Sequence, residues 1–498
     1  MTRPILRREF LRTAVRTGGA ALALPALPPV SAREARLAPQ AVRLDPQIEP
    51  LVRLIEDTPR EKLVEEIAAR IRKGLSYPEV LAALLLAGVR NVQPRPVGFK
   101  FHAVLVVHSA HQAALSASDE DRWLPLLWAV DHFKGPQAEE RQKTGWRMGP
   151  LDPLSLPPAS RAERQFVEGM DSWDPERAEP AAAALARSAG ANAVFELFAR
   201  YAARDFRDIG HKAIYVAGGF RALQVIGWAH AEPVLRSIAQ ALLYYTGESP
   251  ARSDQAPDRS GRRNREALGR LRADWTQGKP DPAAARELFS TFRTGGEEDA
   301  SRAVLEAVNR GIAVGSVWDA AFTFGAELVA RRPNILSLHA LTTLNALRYI
   351  FEASASDETR RFVLLQAASF LPFFRGRVDR ELALDRLEPE AISSAGADAV
   401  GEIFSDLSRD RVLAARKALG YLRAGGDART LAHTARRLVF LKGTNAHDYK
   451  YSSAVLEDYG ALSAGWREPY LAGSLFLLRG AGDPDSGLGA RVRAALRG

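Results

Sequence analysis

Apolar residues recur along this chain at three- and four-residue steps, in stretches long enough for several helical turns. "IAARIRKGLSYPEVLAALLLAG", "ALARSAGANAVFELFARYA", "AVNRGIAVGSVWDAAFTFGAELV" and "ALGYLRAGGDARTLAHTARRLVF" each predict a helix, a glycine break and a second helix. The breaks fall at Gly74, Gly190, Gly311 and Gly425. Alanine, leucine and arginine dominate, and runs of β-branched residues are few, so the predicted fold class is all-α.

Each of these stretches leads to a histidine. "GFKFHAVLVVHSAHQAA" aligns on His102, "DIGHKAIYVAGGFRALQ" on His211, "LSLHALTTLNALRYIFE" on His339 and "TNAHDYKYSSAVLEDYG" on His447. Twenty-two residues further on stand Leu124, Pro233, Arg361 and Pro469, each at or near the start of another amphipathic stretch. Those stretches end at Gly135, Gly247, Gly376 and Gly480, which suits a helix C-cap. The pattern predicts four quasi-repeats of about four helices, spanning 58–135, 176–247, 297–376 and 401–480. One such unit would expose an apolar face without neighbours, so the expectation is a single α/α array or toroid over 33–498. Polar, Pro-rich inserts at 135–162, 248–282 and 376–400 separate the units, and "GESPARSDQAPDRSGRRNRE" reads as a mobile surface loop.

The first 32 residues read differently. "LRREFLR" (Leu6–Arg12) is a twin arginine with Phe and Leu after it, although Leu6 stands where Ser or Thr is usual. "GGAALALPALPPV" and then "VSA", ending at Ala32, complete a twin-arginine signal peptide. This predicts export to the periplasm or beyond, with the translocase as a transient partner. That route carries folded proteins, often with a cofactor already inserted. No later stretch has the apolar length of a membrane span. The signal holds five arginines and one glutamate, so of 68 basic and 59 acidic residues the mature chain keeps 63 and 58. The charges are interspersed, which argues against nucleic acid as a partner. The absence of cysteine removes disulfides, thiolate metal sites, iron–sulfur clusters and cysteine nucleophiles.

Four equivalent histidines facing a common axis would make a metal site. Imidazole suits iron, copper, zinc or nickel, and bis-histidine haem is a second option. A structural alternative is that each histidine merely caps its helix. A ligating histidine needs a partner on its other ring nitrogen, and Asp208 and Asp448 are the candidates. His108 and His111, three apart, are candidate pocket residues for a cofactor. His132, His230 and His433 read as structural, while "DFRDIGH" spaces Asp205, Asp208 and His211 as either a metal face or a solvated one. No G-x-S-x-G, H-E-x-x-H, P-loop or G-x-G-x-x-G motif occurs.

"GHKAIYVAG", "LHALTTLNALR", "FKFHAVLVVHSAHQAAL" and the H-x-x-K-x-x-x-A of "HDYKYSSA" (His447, Lys450, Ala454) resemble the spaced histidine motifs of the questin oxidase-like family. The resemblance implies a helical oxidoreductase; the family's named activity is oxidative ring opening of an anthraquinone. Two departures stand out: Tyr215 occupies the place of a second histidine four after His211, and the chain carries an export signal. The expected function is therefore an exported oxidoreductase acting on a small organic molecule with dioxygen. Its metal, iron first, would be held by His102, His211, His339 and His447. Tyr215, Asn345, Lys450 and Tyr451 would be polar wall residues, with Lys450 neutralising an anionic substrate or intermediate. The rival expectations are a non-catalytic periplasmic scaffold and a haem or metal carrier.

Overall fold

The computed structural model describes residues 42, 44–245, 248–376, 379–394 and 397–498. Residues 1–32, expected to be a signal peptide, and Gly247 lie outside the described residues. The described residues form 22 α-helices and no strand; their one isolated β-bridge joins Lys279 to Ile312. The all-α expectation holds. Among the described residues no helix is long and apolar enough to cross a membrane.

Four helices make the centre: His102–Leu115, Ile335–Ala353, His211–Ile226 and Ala446–Asp458. The His102 helix packs against the His211 and His447 helices, and the His339 helix packs against the same two. The four therefore close a ring in which His102 faces His339 across one diagonal and His211 faces His447 across the other. All four run the same way. Their histidines meet at one end, and ten residues later Arg221 pairs with Glu457 at 2.9 Å while its guanidinium lies 4.2 Å from the Tyr349 ring centroid. Ten helical residues rise roughly 15 Å, which is the distance between the two layers.

Other helices shield the ring. Tyr77–Asn91 and Leu124–Lys143 cover the His102 helix, Ala231–Leu242 the His211 helix, and Val314–Arg331 with Asp357–Phe370 the His339 helix. Ala428–Lys442 covers the His447 helix. The C-terminal helix Leu488–Arg497 returns to pack on Arg60–Arg72, where Arg491 pairs with Glu65 at 2.7 Å.

Two local expectations are corrected. The "GESPARSDQAPDRSGRRNRE" stretch contains the helix Ala256–Ala267, which packs on Asp357–Phe370. Its buried face is polar, so hydrophobic periodicity could not reveal it. Asn264 donates to Gln366 (2.7 Å) and Ser369 (2.9 Å), and Asp258 accepts from Arg207 at 2.7 Å. Gly135 does not end its helix either, which continues through Pro136 to Lys143. The continuation is anchored by Lys134, whose ammonium donates to the Ile55 and Glu56 carbonyls, and by Glu140, paired with Lys100 at 2.7 Å.

Candidate metal centre

The chain delivers its four histidines by different local devices. Phe99, at φ 51°, opens a single 3-10 turn that runs into His102. Before His211 the chain passes through Ile209 (φ 56°) and Gly210 (φ 95°), both left-handed. A Cβ on Gly210 would collide with the Thr343 side chain, so glycine permits both the turn and the close approach of the His339 helix. The His339 helix begins under an Asn334 cap that accepts from Leu336 and Ser337 at 2.9 and 3.1 Å. The His447 helix begins under Asn445, which accepts from the His447 amide at 2.9 Å.

Three of the rings are then oriented in the same way. His102 Nδ1 donates to the Phe99 carbonyl (2.7 Å), His211 Nδ1 to that of Asp208 (2.6 Å) and His339 Nδ1 to that of Ile335 (2.6 Å). A carbonyl only accepts, so the proton of each neutral ring sits on Nδ1 and the Nε2 lone pair is free. Burial keeps the rings neutral: it pushes His211 down to about 3, with the Lys450 charge adding to the effect, and it lowers His102 and His339 well below the ordinary value. Those lone pairs face one another. His211 Nε2 lies 3.2 Å from His102 Nε2 and 3.0 Å from His339 Nε2.

Three buried acceptors converging with no proton between them repel, and a single imidazolium at His211 would satisfy only one of its two neighbours. A cation at their common point resolves the conflict. On an ion with bonds of about 2.0–2.1 Å, neighbouring ligands stand about 2.8–3.4 Å apart, which brackets the observed separations. The set His102, His211, His339, with ligand atoms all within 4.8 Å of one another, is thus a buried group able to bind a metal ion. Such contacts leave no slot for a porphyrin between axial nitrogens, so the haem option does not fit.

His447 departs from the four-ligand expectation. Its ring packs 4.3 Å from His102 and 5.3 Å from His339, centroid to centroid, but its nitrogens stand outside the group of three. No preceding carbonyl turns the ring as in the other three, and its buried Nε2 has no hydrogen-bond partner. One turn on, Lys450 is 2% exposed and its Nζ is also buried without a partner. The fourth quadrant of the ring therefore offers two unsatisfied polar atoms instead of a fourth ligand.

The aspartates expected behind the histidines serve elsewhere. Asp208 spends its carboxylate on the Gly210 and Lys212 amides (3.2 and 2.9 Å), so only its backbone carbonyl reaches His211. Asp448 accepts from the Thr444 and Asn445 amides and from Arg479 at 2.7 Å, closing the cap of its helix. Asp205 is bound to Lys212 at 2.8 Å and belongs to no metal face. Tyr215 and Tyr451, four residues after their histidines, lie on the outward flanks of their helices. Tyr215 sits edge-on to Phe101, and Tyr451 donates to the Ser474 carbonyl at 2.8 Å. Asn345 does face inward, donating to Glu457 and Asp458 at 2.8 and 2.9 Å. His108 borders the same inner face beside Gly218, while His111 is turned away toward Tyr77, its Nδ1 3.4 Å from the phenol. His132 stacks on Trp128 at 4.8 Å.

Alignment on the four histidines brings further residues into register. Ten residues after each stand Gln112, Arg221, Tyr349 and Glu457, the polar and aromatic layer at the far end of the ring. Seven residues after each stand Ser109, Gly218, Ala346 and Ala454, all small, on the face turned to the axis. Against known proteins, the chain matches no family model, no curated protein and no solved structure.

Proposed function

We propose that this protein is an exported, metal-dependent oxidoreductase acting on a small organic molecule. The observation that carries the reading is the convergence of three unprotonated Nε2 atoms at 3.0 and 3.2 Å. Three neutral nitrogen ligands leave positions open for a substrate or an oxidant, and iron, the first candidate, suits such a set. When bound, a redox-active first-row ion supplies electron transfer to or from dioxygen. The chain's own part is to fix the ligand tautomers through three backbone carbonyls, to exclude water by burial, and to present Lys450 and His447 on the open side. The resemblance of the histidine motifs to the questin oxidase-like family supports an oxidoreductase with a polar, histidine-lined site, and anthraquinones enter only as probes.

The test is elemental analysis of protein exported by its own signal, followed by oxygen uptake of Fe(II)-loaded protein with hydroxylated anthraquinones. Stoichiometric metal with substrate-dependent uptake is the expected result. Metal without uptake turns the reading to a metal carrier, and no metal at all turns it to a binding scaffold. Export has its own check: Arg7→Lys with Arg8→Lys is expected to hold precursor in the cytoplasm, and normal processing of that variant overturns the signal reading.

A further inference from the structure

The three ligands come from three helices of the ring, and the fourth helix brings something else to the same place. His447 Nε2 and Lys450 Nζ are both buried and both without a hydrogen-bond partner. A buried amine with no acceptor is costly, and burial pushes Lys450 down to about 7, so its proton is held firmly only when an anionic acceptor stands beside Nζ. The four histidine-bearing helices also point their N-terminal, partially positive ends toward this layer. Yet the only group able to hold a cation among the described residues consists of three neutral imidazoles with no carboxylate. A divalent ion there would therefore add positive charge to a buried group that holds no carboxylate of its own.

We propose that the centre takes a carboxylate as its exogenous ligand, one oxygen toward the metal and the other accepting from Lys450 Nζ, with His447 Nε2 against the same guest. The inference rests on the metal reading and names the substrate class for it. A carboxylate fits better than a phosphate because Lys450 presents one unpartnered donor group here, where phosphate recognition calls for several. Ile214, Gly218 and His108, which lie along the ring between the histidine layer and Arg221, are only partly buried.

The experiment uses the Co(II)-loaded full chain, with formate as the probe and perchlorate as the non-coordinating control, read by the visible ligand-field spectrum. Wild type is expected to show a saturable shift with formate and none with perchlorate. Lys450→Met is expected to keep cobalt at wild-type stoichiometry and to weaken formate about ten- to hundredfold, the loss of one charge-assisted hydrogen bond. Cobalt retained with formate affinity unchanged in Lys450→Met overturns this inference and leaves the metal reading standing. No cobalt on wild type overturns both. Should Lys450→Met not fold, wild type decides alone: the absence of a saturable formate shift overturns the carboxylate, and inorganic phosphate binding in its place assigns the site to a tetrahedral oxyanion instead.

Discussion

Arg221 and Glu457 pair at 2.9 Å across the diagonal of the helix ring, each ten residues beyond the histidine of its own helix. Equal offsets mean that the two helices are parallel and in register. The pair is braced by Tyr349 under the guanidinium and by Asn345, which donates to Glu457 at 2.8 Å. Glu457→Gln should thus loosen the far end of the ring without touching the histidine layer, roughly 15 Å away. The expected cost is about 1–2 kcal/mol in a denaturant melt, for a pair that is only partly buried. Metal content should stay at the wild-type level; its loss would mean that the two layers are not independent.

His211 and His447 separate ligand from neighbour. His211 Nε2 touches both other ligands, so His211→Ala should abolish metal retention after desalting. His447 stands outside the group, so His447→Ala should retain metal, with affinity lowered rather than lost. His433 is exposed within Ala428–Lys442, and His433→Ala should change nothing. Metal stoichiometry beside a thermal melt decides among these. A His211→Ala protein that keeps full metal would make the histidines mere helix-end residues.

The histidine layer was legible because aligning the chain on His447 sets His102, His211 and His339 beside it, and the helices that carry these four residues pack into one ring. The same logic applied to the small residues at Gly218, Ala346 and Ala454, whose alignment was available in the sequence but carries no chemical label. The partners of the histidines were not legible. Phe99, Asp208 and Ile335 act through backbone carbonyls, which every residue has, so nothing in their side chains announces the role. Side-chain chemistry pointed instead to the Asp208 and Asp448 carboxylates, and the orphan amides at helix starts claimed both. The departure of His447 was equally silent, since it depends on the rotation of one ring.

Proton linkage gives the centre a pH signature in the metal-free protein. An unfolded chain titrates histidine near about 6.5, whereas burial holds His211 down at about 3. Above pH 6.5 both states are neutral, and the stability associated with the ring is fully present. As pH falls below that value the unfolded state takes up a proton that the folded state refuses. Stability then drops by about 1.4 kcal/mol per pH unit for this group, until the folded ring itself titrates. His102 and His339, lowered in the same direction, steepen the fall. The melting temperature of metal-free wild type should therefore decline below pH 6.5 more steeply than that of His211→Leu. Equal slopes would show that His211 is not held neutral by the fold.

The turn before His211 ties the backbone to the metal layer, and its cost can be divided by experiment. Gly210 sits at φ 95°, and a Cβ there would strike Thr343 on the His339 helix. Gly210→Ala therefore carries two penalties. One is the left-handed conformation itself, about 1–2 kcal/mol for a residue with a Cβ. The other is steric, because the His211 and His339 helices must part to admit the methyl group. Thr343→Ala in the Gly210→Ala background should remove most of the second penalty and none of the first. Denaturant melts of wild type, both single variants and the double variant measure the coupling as a double-mutant cycle. The double variant should recover stability relative to Gly210→Ala while remaining about 1 kcal/mol or more below Thr343→Ala. Metal retention should follow the steric part, since the 3.0 Å approach of His211 to His339 depends on those two helices staying in contact. A Gly210→Ala protein with unchanged stability and full metal would mean that the turn imposes no constraint on the site.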